Sequence, residues 1–152
     1  MIYNTSNIGG FLISDNSFYT VRHNHDLEDI TVISGELYIN KATRGHLHHH
    51  NEEVYIFTEG TGELRLTYPD EGQGETGQEI QVSPGTIVLI EKSVVHRVHN
   101  TGTSTLKWVS VFNGVKKSPF VADASTVYKW HDNSYGTYSW LLESAFKRKM
   151  KE

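Results

Sequence analysis

Residues 45–60 read GHLHHHNEEVYIFTEG and carry the strongest chemical pattern of the chain. His46 and His48 are two residues apart, so on a β-strand their side chains point to the same face. Glu53 opens the next apolar run and shares its face with Tyr55. We therefore expect two neighbouring strands, joined by a hairpin, that direct two imidazoles and one carboxylate toward a common point.

A second segment, PGTIVLIEKSVVHRVHN at residues 84–100, supplies a third histidine. His96 shares a strand face with Val94 and Val98 and is expected to point inward. Imidazole and carboxylate together suit Fe, Mn, Ni, Cu or Zn, and four ligands on an octahedral ion leave two positions for a substrate. The prediction is one divalent transition metal (Fe, Mn, Ni or Zn), and the predicted ligands are His46, His48, Glu53 and His96.

The remaining histidines fit this pattern less well. His49 and His99 have the opposite parity on their strands, and His50 falls in a turn, where contact with solvent is expected. The segment RHNHD repeats the alternate spacing at His23 and His25, without a carboxylate in the register that a second metal site needs. The roles of these residues, and of His131, are left open.

The rest of the chain consists of short β-branched and aromatic runs between Gly, Pro and Asn turns, which predicts a single all-β barrel or sandwich. A tight hairpin is expected at residues 60–62, and the polar residues 69–78 predict a surface loop. The run TIVLI (86–90) is expected to be buried on both faces. One short C-terminal helix is predicted over residues 138–150, with basic residues in its last turn.

Length and composition limit the function. The chain has 152 residues, a net charge of −4 and no cysteine, which predicts one domain without disulfides and argues against nucleic-acid binding. The first residues lack the pattern of a signal peptide, and no window has the length and hydropathy of a membrane span, so we expect a cytoplasmic protein with no membrane partner.

These residues resemble the cupin superfamily. Its first motif, His-x-His, four residues, Glu, six residues, Gly, fits His46 to Gly60, and its second motif fits the spacing of Gly85, His96 and Asn100, with Glu91 and Ser93 where a proline and a glycine are usual. The resemblance implies a single cupin β-barrel (a double-stranded β-helix or jelly roll) over residues 1–152, with its motif core at 43–100 and a C-terminal extension from about 119. It also implies a homodimer, for which the apolar region 11–21 is a candidate surface.

Longer phrases, including KATRGHLHHHNEEVYIFTEGTGEL (41–64) and SPGTIVLIEKSVVHRVHNTG (83–102), look like the cupin-type glucose-6-phosphate isomerases of archaea. This resemblance implies a sugar or sugar-phosphate substrate and an active-site tyrosine at Tyr55. It also implies a phosphate held by Thr31, Thr43 and Gly45. An aromatic residue of that family is replaced here by Ser93, and a tyrosine by Phe112, which predicts an altered sugar pocket.

The resulting hypothesis is a metal-dependent aldose–ketose isomerisation through a metal-bound enediolate. Glu53 is the candidate base, and Tyr55 is the candidate donor to a substrate oxygen. Three alternatives remain open: a metal-dependent dioxygenase of a small organic substrate, a non-catalytic carbohydrate-binding or sensor cupin, and an isomerase or epimerase of a nucleotide sugar.

Overall fold

The computed structural model describes residues 1–48, 51–70, 74–113 and 137–140, with the backbone alone for 69–70, 74–76 and 137–140. These residues form eleven strands. They are β1 (Phe11–Asp15), β2 (Tyr19–Asn24), β3 (Ile30–Leu37), β4 (Gly45–His48), β5 (Glu53–Glu59), β6 (Gly62–Asp70), β7 (Gly74–Val82), β8 (Ile87–Ile90), β9 (Val95–His99), β10 (Leu106–Asn113) and β11 (Thr137–Trp140). The prediction of an all-β fold is confirmed for the described residues.

The strands form two antiparallel sheets. One has the order β1-β2-β3-β10-β5-β8 and the other the order β11-β4-β9-β6-β7. Consecutive strands such as β4 and β5 lie in different sheets, and β10 pairs with β3 and β5, which are far from it in sequence. This arrangement of two facing sheets with long crossovers is the jelly-roll β-barrel that the sequence predicts.

The core fills the space between the sheets. Alternate residues of each strand point inward, so the six-stranded sheet contributes Phe57 and Trp108 while the five-stranded sheet contributes Leu64 and Val98. Gly35 is part of this packing, because a Cβ atom at that position would collide with the indole ring of Trp108. The barrel interior is therefore apolar at one end, next to the polar cluster described below.

Both predicted hairpins are wrong. β4 pairs with β9 and β11, and β5 pairs with β8 and β10, so the chain passes from one sheet to the other between His48 and Glu53. The chain crosses again after β5, at Gly60, which has φ 79° and whose missing Cβ leaves room for the carbonyl oxygen of Thr105. Glycine is required there by backbone conformation and close approach, but the turn connects sheets instead of paired strands.

Three other expectations need correction. Most of the loop predicted at 69–78 is strand, because β6 extends to Asp70 and β7 begins at Gly74. The run 86–90 is not buried on both faces: β8 is an edge strand, with Ile87 61% and Leu89 72% exposed. The helix predicted over 138–150 overlaps strand β11 at residues 138–140, and its remaining residues lie outside the described part of the chain.

In the described ranges, no helix is both long enough and apolar enough to cross a membrane. The strands expected around residues 11–21, 53–59, 94–99 and 105–112 are present with small shifts at their ends.

Candidate metal centre

The two sheets bring the four predicted ligands together. His46 and His48 lie on β4, and His96 lies on the neighbouring strand β9, where it pairs directly with His46. Glu53 is the first residue of β5 and reaches the cluster from the opposite sheet. Each of the four residues offers one ligand atom, and these atoms all lie within 4.8 Å of one another.

The carboxylate of Glu53 is at the centre of the cluster. Its Oε2 atom lies 3.0 Å from Nε2 of His48 and 3.0 Å from Nε2 of His96. Glu53 is 2% exposed and His96 1% exposed, so both groups are removed from water. The His46 ring contributes the third imidazole, with its centroid 4.1 Å from that of His96.

Backbone contacts orient the imidazoles. The Nδ1 atom of His96 lies 3.0 Å from the carbonyl oxygen of Val94, to which it can donate, and this leaves the lone pair of His96 on Nε2. The backbone N–H of Ser93 donates to the carbonyl oxygen of His48 over 2.7 Å, which fixes the end of β4. Ser93 has φ 64°, a left-handed conformation that glycine adopts with less strain than other residues.

The donor set fits a divalent metal. With Nδ1 protonated, Nε2 of His96 is a hydrogen-bond acceptor that faces the acceptor Oε2 of Glu53 at 3.0 Å. Two acceptors at this distance repel each other unless a cation lies between them, either a proton or a metal ion. Neutral imidazoles and a carboxylate converging from several directions are ligands that transition metals prefer.

The electrostatics of the cluster agree with this assignment. Burial tends to raise the pKa of Glu53, but the close imidazoles of His48 and His96, which donate hydrogen bonds and carry positive charge when protonated, outweigh it and hold that pKa well below its usual value. Desolvation, together with repulsion from His96 and His48, lowers the pKa of His46 well below its usual value. Glu53 is thus a carboxylate and His46 a neutral imidazole near neutral pH, which are the forms that bind metal.

Aromatic rings pack against the ligands of the centre. Phe112 stacks on His48, with ring centroids 5.3 Å apart and planes 18° apart. Tyr55 stacks on Trp108 at 6.0 Å and meets the ring of His96 edge-on at 5.6 Å. Burial, with a smaller contribution from Glu53, raises the pKa of Tyr55 well above its usual value, so this phenol stays protonated and can act only as a neutral donor or acceptor.

The residues predicted to bind phosphate lie in both sheets. Thr31 is on β3 of the six-stranded sheet, is 1% exposed, and shares a hydrogen bond of 3.0 Å with Nδ1 of His25. Thr43 precedes β4, and its hydroxyl oxygen accepts the backbone N–H of Val98 over 2.9 Å. Gly45 is the buried first residue of β4. Both threonine hydroxyls are thus already engaged within the protein.

Sequence reasoning did not place three polar residues that face this interior. His25 and His23 lie 5.6 Å apart between ring centroids, and Ser110 is fully buried on β10. The alternate spacing of His23 and His25 was a usable signal, since it put both rings on one strand face. The sequence could not show that this face is the one that also carries Glu53, because that depends on pairing between β2, β3, β10 and β5.

Comparison with known proteins agrees with the fold. Residues 39–112 match a family model described as "Cupin domain". No curated protein matches the sequence. Solved structures that resemble it include a Klebsiella pneumoniae protein with a double-stranded β-helix domain, at 17% identity and a TM-score of 0.58. That match covers 74% of this chain and 88% of the other.

Two further solved structures also match the fold. KdgF from Halomonas sp. is 14% identical, with a TM-score of 0.54, covering 68% of this chain and 86% of that one. Oxalate decarboxylase from Lactobacillus farciminis is 16% identical, with a TM-score of 0.59, covering 66% of this chain but only 30% of that one. At these identities the likeness concerns the fold, and the chain spans less than a third of the oxalate decarboxylase.

Proposed function

We propose that this protein is a metal-dependent enzyme acting on a sugar or sugar phosphate, because residues 39–112 match a cupin domain model and the barrel contains a His₃Glu cluster. The proposed reaction is the interconversion of an aldose and a ketose. The observation that carries the proposal is the buried cluster of His46, His48, Glu53 and His96, whose ligand atoms lie within 4.8 Å of one another.

The composition of the interior supports a polyhydroxylated substrate. Around the cluster lie the phenol of Tyr55, the hydroxyl of Thr31 and the imidazole of His25, all of them hydrogen-bonding groups on the inner face of the six-stranded sheet. Such groups match the hydroxyls and carbonyl of a sugar chain.

Each residue has a defined role in the proposed reaction. A divalent cation held by the four ligands would supply a positive charge that stabilises negative charge developing on two adjacent substrate oxygens. The Oε2 atom of Glu53 faces His48 and His96, so Oε1 is the oxygen that would take a proton from the substrate carbon. Tyr55, kept protonated by burial, would donate to a substrate oxygen, and its stacking on Trp108 holds it in place.

The first test is chemical analysis of the purified protein, followed by proton NMR of mixtures with aldoses, ketoses and their phosphates. We expect close to one equivalent of a transition metal and aldose–ketose interconversion that stops after chelation. Metal-loaded protein that consumes oxygen with an organic substrate, and converts no sugar, would instead indicate a dioxygenase. Sugar binding without conversion would indicate a carbohydrate-binding protein.

The second test isolates Glu53. Glu53→Gln keeps the shape of the side chain but removes the carboxylate charge, so we expect metal affinity to fall and turnover to drop by about 10²–10⁴-fold. Glu59→Gln is the matched control, because Glu59 ends the same strand β5 with an exposed side chain. Full isomerase activity in Glu53→Gln would contradict its role as the base.

We also propose that the protein forms a homodimer. The outer face of the six-stranded sheet carries exposed apolar side chains, including Leu12 at 47%, Ile87 at 61% and Leu89 at 72%. Exposed apolar side chains on edge strands favour association, because pairing covers both the side chains and the free backbone groups. Sedimentation velocity tests this proposal directly.

A further inference from the structure

A continuous row of inward-facing residues crosses the six-stranded sheet next to the metal centre. Directly paired residues of antiparallel strands point to the same face, and the register links Tyr55 on β5 to Ser110 on β10, Ser110 to Ile33 on β3, and Ile33 to His23 on β2. The row therefore runs from the wall of the metal centre toward the edge of the sheet.

The neighbouring row contains a metal ligand. It links Glu53 to Phe112 and Phe112 to Thr31, and the hydrogen bond between Thr31 and His25 extends it to the end of β2. His23 is two residues before His25 and points to the same face. His23 thus faces the same interior as Glu53. It lies on β2, at the other end of the row from Tyr55 on β5.

His23 has the properties of a binding group. Its ring is half-buried, so it lies between the fully buried part of the row and solvent. Its Nδ1 atom is inaccessible to water and has no hydrogen-bond partner in the described part of the chain. The His25 ring meets it edge-on, at 5.6 Å between centroids and 68° between planes, and His25 is itself fixed by Thr31. A buried nitrogen that is oriented but unpaired is costly unless a ligand uses it.

A second buried polar atom in the same row has the same property. The hydroxyl of Ser110 is fully buried and has no hydrogen-bond partner among the residues that the structure describes. Two such atoms lie on one interior face, beside the cluster of predicted metal ligands, and an unpaired buried polar group calls for a partner such as a ligand or water.

We propose that His23 is a substrate-binding residue of this site, whose ring nitrogen hydrogen-bonds to a neutral hydroxyl of a polyhydroxylated chain held at the metal centre. The inference rests on the proposed function and deepens it by naming the substrate group that is recognised.

The charge state of His23 determines which substrate group it prefers. Desolvation, with a contribution from His25, lowers its pKa to about 4, and the opposing effect of Glu53 is smaller. The ring is therefore neutral at pH 7 and offers one donor and one acceptor, which matches a hydroxyl. A phosphate group, which only accepts hydrogen bonds and carries charge, would favour a protonated ring.

The test compares three variants in the Zn²⁺-loaded full-length chain. His23→Phe keeps the ring and its edge contact with His25 but removes both nitrogens, and His23→Asn keeps a hydrogen-bonding group close to the position of Nδ1. His99→Phe is the matched control, since His99 faces solvent on β9. Dissociation constants are measured by NMR titration with D-glucose, D-fructose and their 6-phosphates, and zinc content is measured in parallel.

We expect His23→Phe to weaken binding of D-glucose and of its 6-phosphate by the same factor, about tenfold, with zinc content unchanged. His23→Asn should recover part of this loss, and His99→Phe should bind like the wild type. Because an unpaired buried nitrogen is removed, His23→Phe should also raise Tm, by about 2–4 °C.

The outcomes separate this inference from the proposed function. Equal affinity in wild type and His23→Phe would overturn the role of His23 and leave the proposed function standing. A loss confined to the 6-phosphates would overturn the hydroxyl assignment. Wild-type protein that binds none of the four probes would overturn both the proposed function and this inference.

Discussion

Acidification from pH 7 to pH 5 is expected to destabilise the folded protein by roughly 2 kcal/mol through His23 alone. The pKa of His23 is lowered from 6.5 to about 4, first because burial penalises the imidazolium ion and second because His25 lies beside it. The unfolded chain has no such penalty. The protonated form is therefore favoured in the unfolded state, and stability that is fully present above about pH 6.5 is lost as the pH falls toward 4.

The magnitude follows from the two pKa values. At pH 5 the histidine is almost fully protonated in the unfolded chain but only about one-tenth protonated in the folded protein, a difference worth roughly 2 kcal/mol. Other groups of the protein also change their protonation between pH 7 and pH 5, so the contribution of His23 has to be taken as a difference between two proteins.

The assay is urea unfolding at pH 7, 6 and 5 of the wild type, His23→Phe and the control His99→Phe. The free energy of unfolding of the wild type should fall between pH 7 and pH 5 by about 2 kcal/mol more than that of His23→Phe. His99→Phe should follow the wild type. Parallel pH dependence of wild type and His23→Phe would refute the burial of a neutral imidazole at this position.

Four further predictions concern the barrel that surrounds the site. Asn100→Ala should cost about 2–4 kcal/mol of stability in urea unfolding, because the buried amide donates to two main-chain carbonyls and accepts one N–H. Ser110→Ala should raise stability by about 1 kcal/mol, since it removes a buried hydroxyl without a described partner, and an unchanged or lower value would argue against the unpaired state. Gly35→Ala should lower stability by about 1–3 kcal/mol through its collision with Trp108, measured by the urea midpoint. Leu89→Lys should shift the sedimentation coefficient toward that of a monomer without changing Tm of the monomeric fraction, and an unchanged coefficient would exclude β8 from the dimer interface.

The local parts of the site were predictable from sequence. Alternation along a strand puts His46 and His48 on one face whichever strand lies beside them, and Glu53 begins β5 as the apolar pattern indicates. The spacing of ligands along one strand depends on that strand alone, so it can be read from the sequence.

The connections between strands were not predictable in the same way. A glycine turn such as Gly60 marks where the chain changes direction, but the partner of the next strand is decided by contacts far away in sequence. β5 pairs with β10, whose residues follow some fifty positions later. The turn at Gly60 therefore leads from the six-stranded sheet to the five-stranded sheet. The same limit applies to β8: an apolar run shows hydrophobicity, but edge position decides whether Ile87 and Leu89 are covered.

The crossover between His48 and Glu53 determines which sheets a bound metal would join. Had Glu53 followed His48 through a hairpin, all four ligands would have belonged to one sheet, and a bound cation would have stabilised that sheet alone. In the structure the three histidines belong to the five-stranded sheet and Glu53 belongs to the six-stranded sheet. A metal bound by these four residues would therefore connect the two halves of the barrel, and its binding free energy would contribute to their association. Because Glu53 is the only ligand from its sheet, its replacement removes the connection entirely, whereas loss of one histidine leaves the connection in place with weaker affinity.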